Sequence, residues 1–314
     1  MDNALWEWLA LGAVVVALLA VDLALFGRGG REITLRAAAA WSGVWMALGL
    51  LFTAAMWWRH GGAGAEEYLA GFLIEKSLSV DNLFVFSMVF AYFGIPAQPQ
   101  RRVMFWGIAG AIVLRGLFIA AGAALLDAAH WTIYVFGAFL VVTGIRMARH
   151  GDTEIHPQRN VALRALGRLM PLSHDLDGDR FLVRVGARRA ATPLLAALVL
   201  VATFDVLFAA DSIPAIFAVT DDAFVVAAAN AFSLLGLGAL YFVLAGMMDR
   251  FRHLDLGLAV ILVLVGTKML LADVYAIPVY LSLAAIVAVL AVAITASLIT
   301  TRGDGRAVRS PAET

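Results

Sequence analysis

The chain has 314 residues, of which 62% are hydrophobic and only 15% charged. A soluble domain carries about 25% charge, so the composition excludes an ordinary globular protein. The 23 basic and 23 acidic residues balance to zero, which argues against a polyanionic partner such as a nucleic acid, and the lack of cysteine removes disulfides, thiolate metal sites and thiol redox chemistry.

Apolar runs of about 20 residues recur along most of the length, as a bilayer core requires. They are continuous rather than alternating, which favours helices over a β-barrel. The expected fold class is an all-α polytopic membrane protein with about nine spans, roughly 5–26, 37–58, 67–94, 103–126, 130–148, 192–218, 224–247, 254–272 and 278–300. The first run is longer than a typical signal segment and lacks a basic leader, so it is expected to remain as a helix. The expected organisation is two N-terminal helices (1–66), a three-helix unit (67–148), a basic loop (149–191), a second three-helix unit (192–272), a final helix (273–300) and a tail (301–314).

Alternate loops collect the basic residues: Arg28, Arg31 and Arg36, then Arg101 and Arg102, then the loop after Arg146, then Arg250 and Arg252, then the tail. The intervening loops carry Glu66, Glu67, Asp127, Asp221, Asp222 and Asp273, with Arg59 as their single basic residue. The positive-inside rule then sets the N-terminus outside and the C-terminus in the cytoplasm. The loop 149–191 is basic and rich in turn formers, and Asn160–Met170 reads either as a basic amphipathic helix on the membrane or as part of a solvated linker.

Span three reads LIEKSLSVDNLFVFSMVF over residues 73–90 and carries Glu75, Lys76, Asp81 and Asn82. Ionisable groups at this depth cost about 2.5–3.5 kcal/mol each on insertion scales, and such residues default to functional candidates. Span six repeats the theme with Asp205, Asp211 and Ser212 at matching intervals. Seven residues return to nearly the same helix face. Glu75, Ser79 and Asn82 therefore share one face, as do Asp205 and Ser212, whereas Asp81 and Asp211 fall off it. Pro214 disfavours regular helix before it, so a break near Ala210–Ile213 is one way to bring Asp211 inward, and a bend near Ser79–Asp81 would do the same for Asp81. The alternative is a simple proline kink, with Asp211 bonded to a neighbour.

Further echoes link spans three to five with spans six to eight: His130 and His253 precede Gly144-Ile145-Arg146-Met147 and Gly266-Thr267-Lys268-Met269, and Leu114–Phe118 resembles Leu237–Tyr241. Two odd-numbered units joined by a loop on one side would insert with opposite orientation, as in many secondary transporters.

Carboxylates, an amide, a hydroxyl and backbone carbonyls are hard oxygen donors, suited to Mn²⁺, Ca²⁺ or Mg²⁺. The candidate ligands for such a cation are Glu75, Asp81, Asn82, Asp205, Asp211 and Ser212, with Asn230 a further oxygen donor. Lys76, Arg115 and Lys268 are the candidate counter-charges, since buried carboxylates need compensation. Asp22 is an interfacial anchor or a pathway residue. The alternative for the whole set is a proton relay or a structural polar network. No nucleotide loop, nucleophile–base pair or zinc-hydrolase motif is present, so neither enzymatic activity nor a cofactor is expected. The partners expected are the lipid bilayer and a divalent cation. The sequence does not set the oligomeric state.

GFLIEKSLSVDNLFVF (71–86), FAADSIPAIFAVT (208–220) and ALYFVLAGMMDRF (239–251) resemble the signature stretches of the TerC family, over about residues 10–300. The resemblance implies an inner-membrane protein with inverted three-helix repeats, distantly similar to the LysE transporter group, and linked to divalent metal homeostasis, Mn²⁺ efflux and tellurite resistance. Carried over, the family's motif positions fall on Glu75, Asp81, Asn82, Asp205, Asp211 and Ser212. The function expected is export of Mn²⁺ or a similar hard cation. The alternatives are proton-coupled export of a small organic solute, and a non-transporting assembly or stress-complex component docking through 149–191. Tellurite, an anion, suits an acidic site poorly.

Members of the family usually carry a Glu where this chain has Ala202 and an Arg where it has Gly238. A lost ion pair would account for both departures. Restoring Ala202→Glu or Gly238→Arg alone should then lower the thermal midpoint more than restoring both together. Strictly additive effects in that double-mutant cycle would rule out the pairing.

Overall fold

A computed structural model describes residues 5–26, 34–129, 131–149, 160–173, 176–185, 188–244, 254–271, 274–275 and 277–307. The elements are α1 (Leu5–Phe26), α2 (Leu35–Tyr92), α3 (Ala97–Ala128), α4 (Thr132–Arg149), α5 (Val161–Leu169), β1 (Leu182–Val185), β2 (Arg188–Ala191), α6 (Pro193–Phe217), α7 (Ala223–Leu234), α8 (Leu237–Leu244), α9 (Leu254–Leu270) and α10 (Val279–Ala307). The chain is an all-α polytopic membrane protein with one small two-stranded hairpin, β1–β2, outside the spans.

Helix α2 is 58 residues long, which would be about 87 Å if straight, against a bilayer core of about 30 Å. It is not straight. Gly61 adopts φ 73 and ψ −172, a conformation open to glycine, and divides the run into two arms. The arms fold back on each other: Tyr68 Oη donates to the Gly49 carbonyl at 2.9 Å, and the Phe52 and Tyr68 rings stand 5.2 Å apart. On a straight helix those two residues would be about 24 Å apart.

Among the described residues six helices are long and apolar enough to cross a membrane, or seven with α7–α8 taken as one bent span. The second arm of α2 and the shorter α9 supply the remaining apolar segments, so each predicted span falls on a helix. Large apolar side chains such as Trp57, Leu117, Val142, Leu207 and Val292 point outward, as they do in lipid.

The second arm of α2 packs against α6 and α7, and α3 packs against the same two helices. These four enclose the centre. Beside them α4 and α9 form the tightest pair. A Cβ on Gly144 would lie 2.7 Å from the Ala259 carbonyl oxygen, and one on Gly266 would lie 2.7 Å from that of Gly137. Lipid offers no hydrophobic force between helices, so close backbone approach through small residues does the packing.

Two local expectations fail. Helix α6 runs unbroken through Pro214 and ends at Phe217. The proline sits in the last turn, where one lost hydrogen bond disturbs little. Helix α2 is likewise regular past Ser79–Asp81, with Gly61 its one non-helical residue. The broken span is instead the seventh. Helix α7 stops at Leu234, Gly236 takes φ +76, and α8 resumes at Leu237 with a 44° bend. Trp45 fixes the position of this break, since a Cβ on Gly236 would lie 2.4 Å from its side chain.

The α4–α9 contact can be tested. Gly144→Ala must displace backbone and should cost about 1–3 kcal/mol. Gly110 has nothing within 4 Å of its Cβ position, and Gly110→Ala should be neutral or stabilising by up to about 1 kcal/mol. Thermal unfolding in detergent compares the two, and equal midpoints would contradict the close crossing.

Candidate functional site

Helix α3 carries Arg115 into the centre of the bundle, where it is 1% exposed. Its guanidinium offers five donors in a fixed fork, and residues of three other helices receive them. Nη1 is ion-paired with Glu75 Oε1 from the second arm of α2. It also faces Asn230 Oδ1 of α7 at 3.0 Å and Ser212 Oγ of α6 at 3.4 Å. Nη2 and Nε reach Asp205 Oδ1 of α6 at 3.1 and 3.3 Å. Ser79, one turn along α2, donates to the same Glu75 oxygen at 3.5 Å. Glu75, Asp205, Ser212 and Asn230 are all buried.

The network is not saturated. Glu75 Oε2, Asp205 Oδ2 and Asn230 Nδ2 are buried and have no hydrogen-bond partner among the described residues. Two carboxylates face one guanidinium, and each has one oxygen left over. Hard oxygen donors with spare lone pairs are what a Mn²⁺, Ca²⁺ or Mg²⁺ ion uses.

Lys76 follows Glu75 in sequence but points elsewhere. Its Nζ donates to the carbonyls of Ser233 at 2.9 Å and Leu235 at 3.4 Å. Those carbonyls lie at the C-terminus of α7, where the chain breaks before Gly236. A helix C-terminus has unsatisfied carbonyls and the negative end of the dipole. The ammonium supplies both a donor and the matching charge.

The other predicted residues separate from this centre. Asn82 is buried with its Oδ1 unpartnered, but it lies about 10 Å further along α2 than Glu75. Asp211 is half-buried and turned toward Thr143 of α4, its hydrogen-bonding neighbour. The unbroken α6 is the reason, because a regular helix keeps Asp211 off the face of Asp205 and Ser212. The Asp81 side chain lies outside the described residues, as do His130, His150, His156, His174 and His253. Lys268 is not a counter-charge to the central carboxylates. It interacts with Glu67 and Asp221, near the hydrogen bond from Thr220 Oγ1 to Glu67 Oε2 at 2.6 Å. Among the described residues no three His, Asp or Glu side chains are gathered to hold a metal ion.

Sequence reasoning missed the Glu67–Thr220 contact and the ion pair of Glu7 with Arg59 at 2.6 Å. Both join residues far apart in sequence, and only charge sign hints at the second. It counted Asn230 as an oxygen donor without linking it to Arg115.

The chain matches the family described as integral membrane protein TerC family over residues 60–305. It is 45% identical over 295 residues to an uncharacterized membrane protein of Myxococcus xanthus, covering 94% of this chain and 92% of that protein. It is 47% identical over 292 residues to a protein of Escherichia coli (strain K12) named "Putative membrane-bound redox modulator Alx", covering 90% and 91%. It is 35% identical over 293 residues to an uncharacterized membrane protein of Rickettsia felis, covering 93% and 97%. No solved structure matches.

Arg115 compensates two buried carboxylates at once, and its loss is a direct test of that role. Arg115→Met leaves two buried carboxylates uncompensated and should destabilise by about 3–5 kcal/mol. Adding Glu75→Gln and Asp205→Asn should recover most of the lost midpoint in detergent. A triple variant no more stable than Arg115→Met would show that charge compensation is not what Arg115 provides.

Proposed function

We propose, since the chain belongs to the integral membrane protein TerC family, that it is a secondary transporter exporting Mn²⁺ or a similar hard divalent cation. The observation that carries this reading is the buried Glu75–Arg115–Asp205 cluster with two unpartnered carboxylate oxygens where four helices meet. Intramembrane charges placed this way mark ion pathways by default.

The packing pattern adds support. The second arm of α2 lies on α7 as α6 lies on α3. Gly144 meets Ala259 while Gly137 meets Gly266, the contacts of an antiparallel pair, which a two-fold relation between the units would also produce. Such a relation suits inverted units around a central site. The alternation of basic and acidic loops supports an N-terminus outside and a C-terminus in the cytoplasm.

Arg115 holds both carboxylates in the conformation described. Cargo entry requires it to release them, and a divalent ion then replaces one positive charge by two. Arg115 thus acts as a tethered competitor, which keeps the site partly compensated when empty and sets a threshold that a monovalent ion meets poorly. Return of the arginine, with counter-movement of protons or another cation, resets the site.

A second reading is a membrane assembly or stress-complex component whose buried charges are purely structural. The contacts of Arg115 with both carboxylates favour it. The redox wording attached to the Escherichia coli relative extends to this chain only through what the chain moves or holds, since a thiol–disulfide relay has no cysteine here to run on.

Flux into reconstituted vesicles separates the readings. The wild-type protein should move Mn²⁺ in preference to Mg²⁺. Asp205→Asn, which keeps the shape and removes a charge, should lower the rate by roughly tenfold or more, the scale of one lost charge interaction. Wild-type vesicles no leakier to Mn²⁺ than empty ones would favour the structural role.

A further inference from the structure

The described residues between α4 and α6 take no part in the polar centre, yet they form ordered elements. Asn160 caps α5 through its Oδ1, which accepts from the Leu163 N–H at 3.0 Å. Strands β1 and β2 pair antiparallel, and the Pro171–Ser173 segment adds to β2 through bonds at 2.9 and 2.8 Å with Ala191. Arg180, Arg184 and Arg189 line a groove of about 470 Å³ together with Asp177, Leu182 and Val183. The strand register sets Arg184 directly opposite Arg189. Like charges so opposed weaken a hairpin, and the one acid of the groove, Asp177, is engaged with Arg180 at 3.2 Å. The groove therefore has a surplus of guanidinium donors.

Its position is fixed by the start of a membrane helix. Thr192 is the N-cap residue of α6, and its Oγ1 donates to the Arg180 carbonyl at 2.8 Å and to that of Phe181 at 3.1 Å. Arg189 is four residues before Pro193, so at most about 14 Å of chain separates them. Headgroup layers are about 5–8 Å thick on each side of the core, which sets the groove at or beside headgroup depth. Helix α5 leans on the same end of α6, with Leu163 packed against the cluster that holds Leu194 and Ala197. Its free face exposes Val161 at 72% and Leu169 at 80%, beside the exposed Arg164 and Arg168. Apolar residues mixed with arginine on an exposed helix face suit a membrane interface.

We propose that the Arg180–Arg184–Arg189 groove binds the phosphate of an anionic lipid headgroup in the leaflet around the start of α6. Guanidinium forks match phosphate oxygens. Leu182, on the same strand face as Arg184, gives the glycerol and first acyl carbons an apolar wall. The bound phosphate neutralises the Arg184–Arg189 repulsion, so the ligand stabilises the hairpin and, through Thr192, the first turn of α6. The site is independent of what the polar centre carries.

The test uses full-length protein in neutral detergent, with short-chain phosphatidylglycerol, short-chain phosphatidylcholine and inorganic phosphate as probes. Binding is read by native mass spectrometry and by the thermal midpoint. Phosphatidylglycerol should bind roughly tenfold or more tightly than phosphatidylcholine, the scale of one charge-assisted pair. The double variant Arg184→Gln/Arg189→Gln should lose that preference while its lipid-free midpoint holds or rises, because the opposed charges are gone. Arg189→Gln alone gives the same reading if the double variant folds poorly. The charge-matched control Arg146→Gln/Arg149→Gln, at the end of α4, should keep the preference. Equal binding of both lipids, an equal loss in the control, or inorganic phosphate binding as tightly as phosphatidylglycerol would each overturn the proposal, the last by making the groove a site for soluble phosphate.

Discussion

One guanidinium ties four helices together. Arg115 of α3 meets Glu75 of α2, Asp205 and Ser212 of α6 and Asn230 of α7, all away from solvent. Helices in lipid gain little from burying apolar faces against each other, because lipid tails are equally apolar. Apolar packing alone would tolerate sliding one helix by a turn, about 5.4 Å. The Arg115 contacts would not survive such a shift. The polar centre therefore sets the register of α2, α3, α6 and α7, and the apolar residues fill around it.

The spans were legible because hydropathy is a local property, and each predicted span meets a helix. Side-chain periodicity was also legible wherever the helix stayed regular: Glu75 and Ser79 share a face, as do Asp205 and Ser212, and all four join the Arg115 network. The break was not legible. Pro214 is a visible helix breaker, yet in the last turn of α6 it removes little. Gly236 looks unremarkable in a run of small and apolar residues, and its break depends on the approach of Trp45, distant in sequence. The misplaced break also misplaced Asp211. Counter-charges were legible by type but not by partner: Arg115 meets the carboxylates, Lys76 meets carbonyls, and Lys268 belongs with Glu67 and Asp221.

Arg115 and Lys76 are both buried cations within the same four helices, and they do different work. Arg115 is planar and forked and satisfies two carboxylates at once; Lys76 is a point charge on the dipole end of a broken helix. Moving Arg115 would leave two anions facing each other and so demands another cation. Moving Lys76 would bare two neutral carbonyls, a smaller debt that water can settle. Beside them the glycine-lined α4–α9 contact has no room to adjust.

Stability alone does not account for the centre. A half-satisfied buried polar network is worse than an apolar one. Arg115 uses one oxygen of each carboxylate and leaves Glu75 Oε2 and Asp205 Oδ2 without partners, with Asn230 Nδ2 also unused. A structural triad would close those valences with a second arginine or a hydroxyl, or replace the acids by apolar residues. Glu75 Oε2 and Asp205 Oδ2, buried and without partners, are therefore the atoms on which the proposed transport role rests.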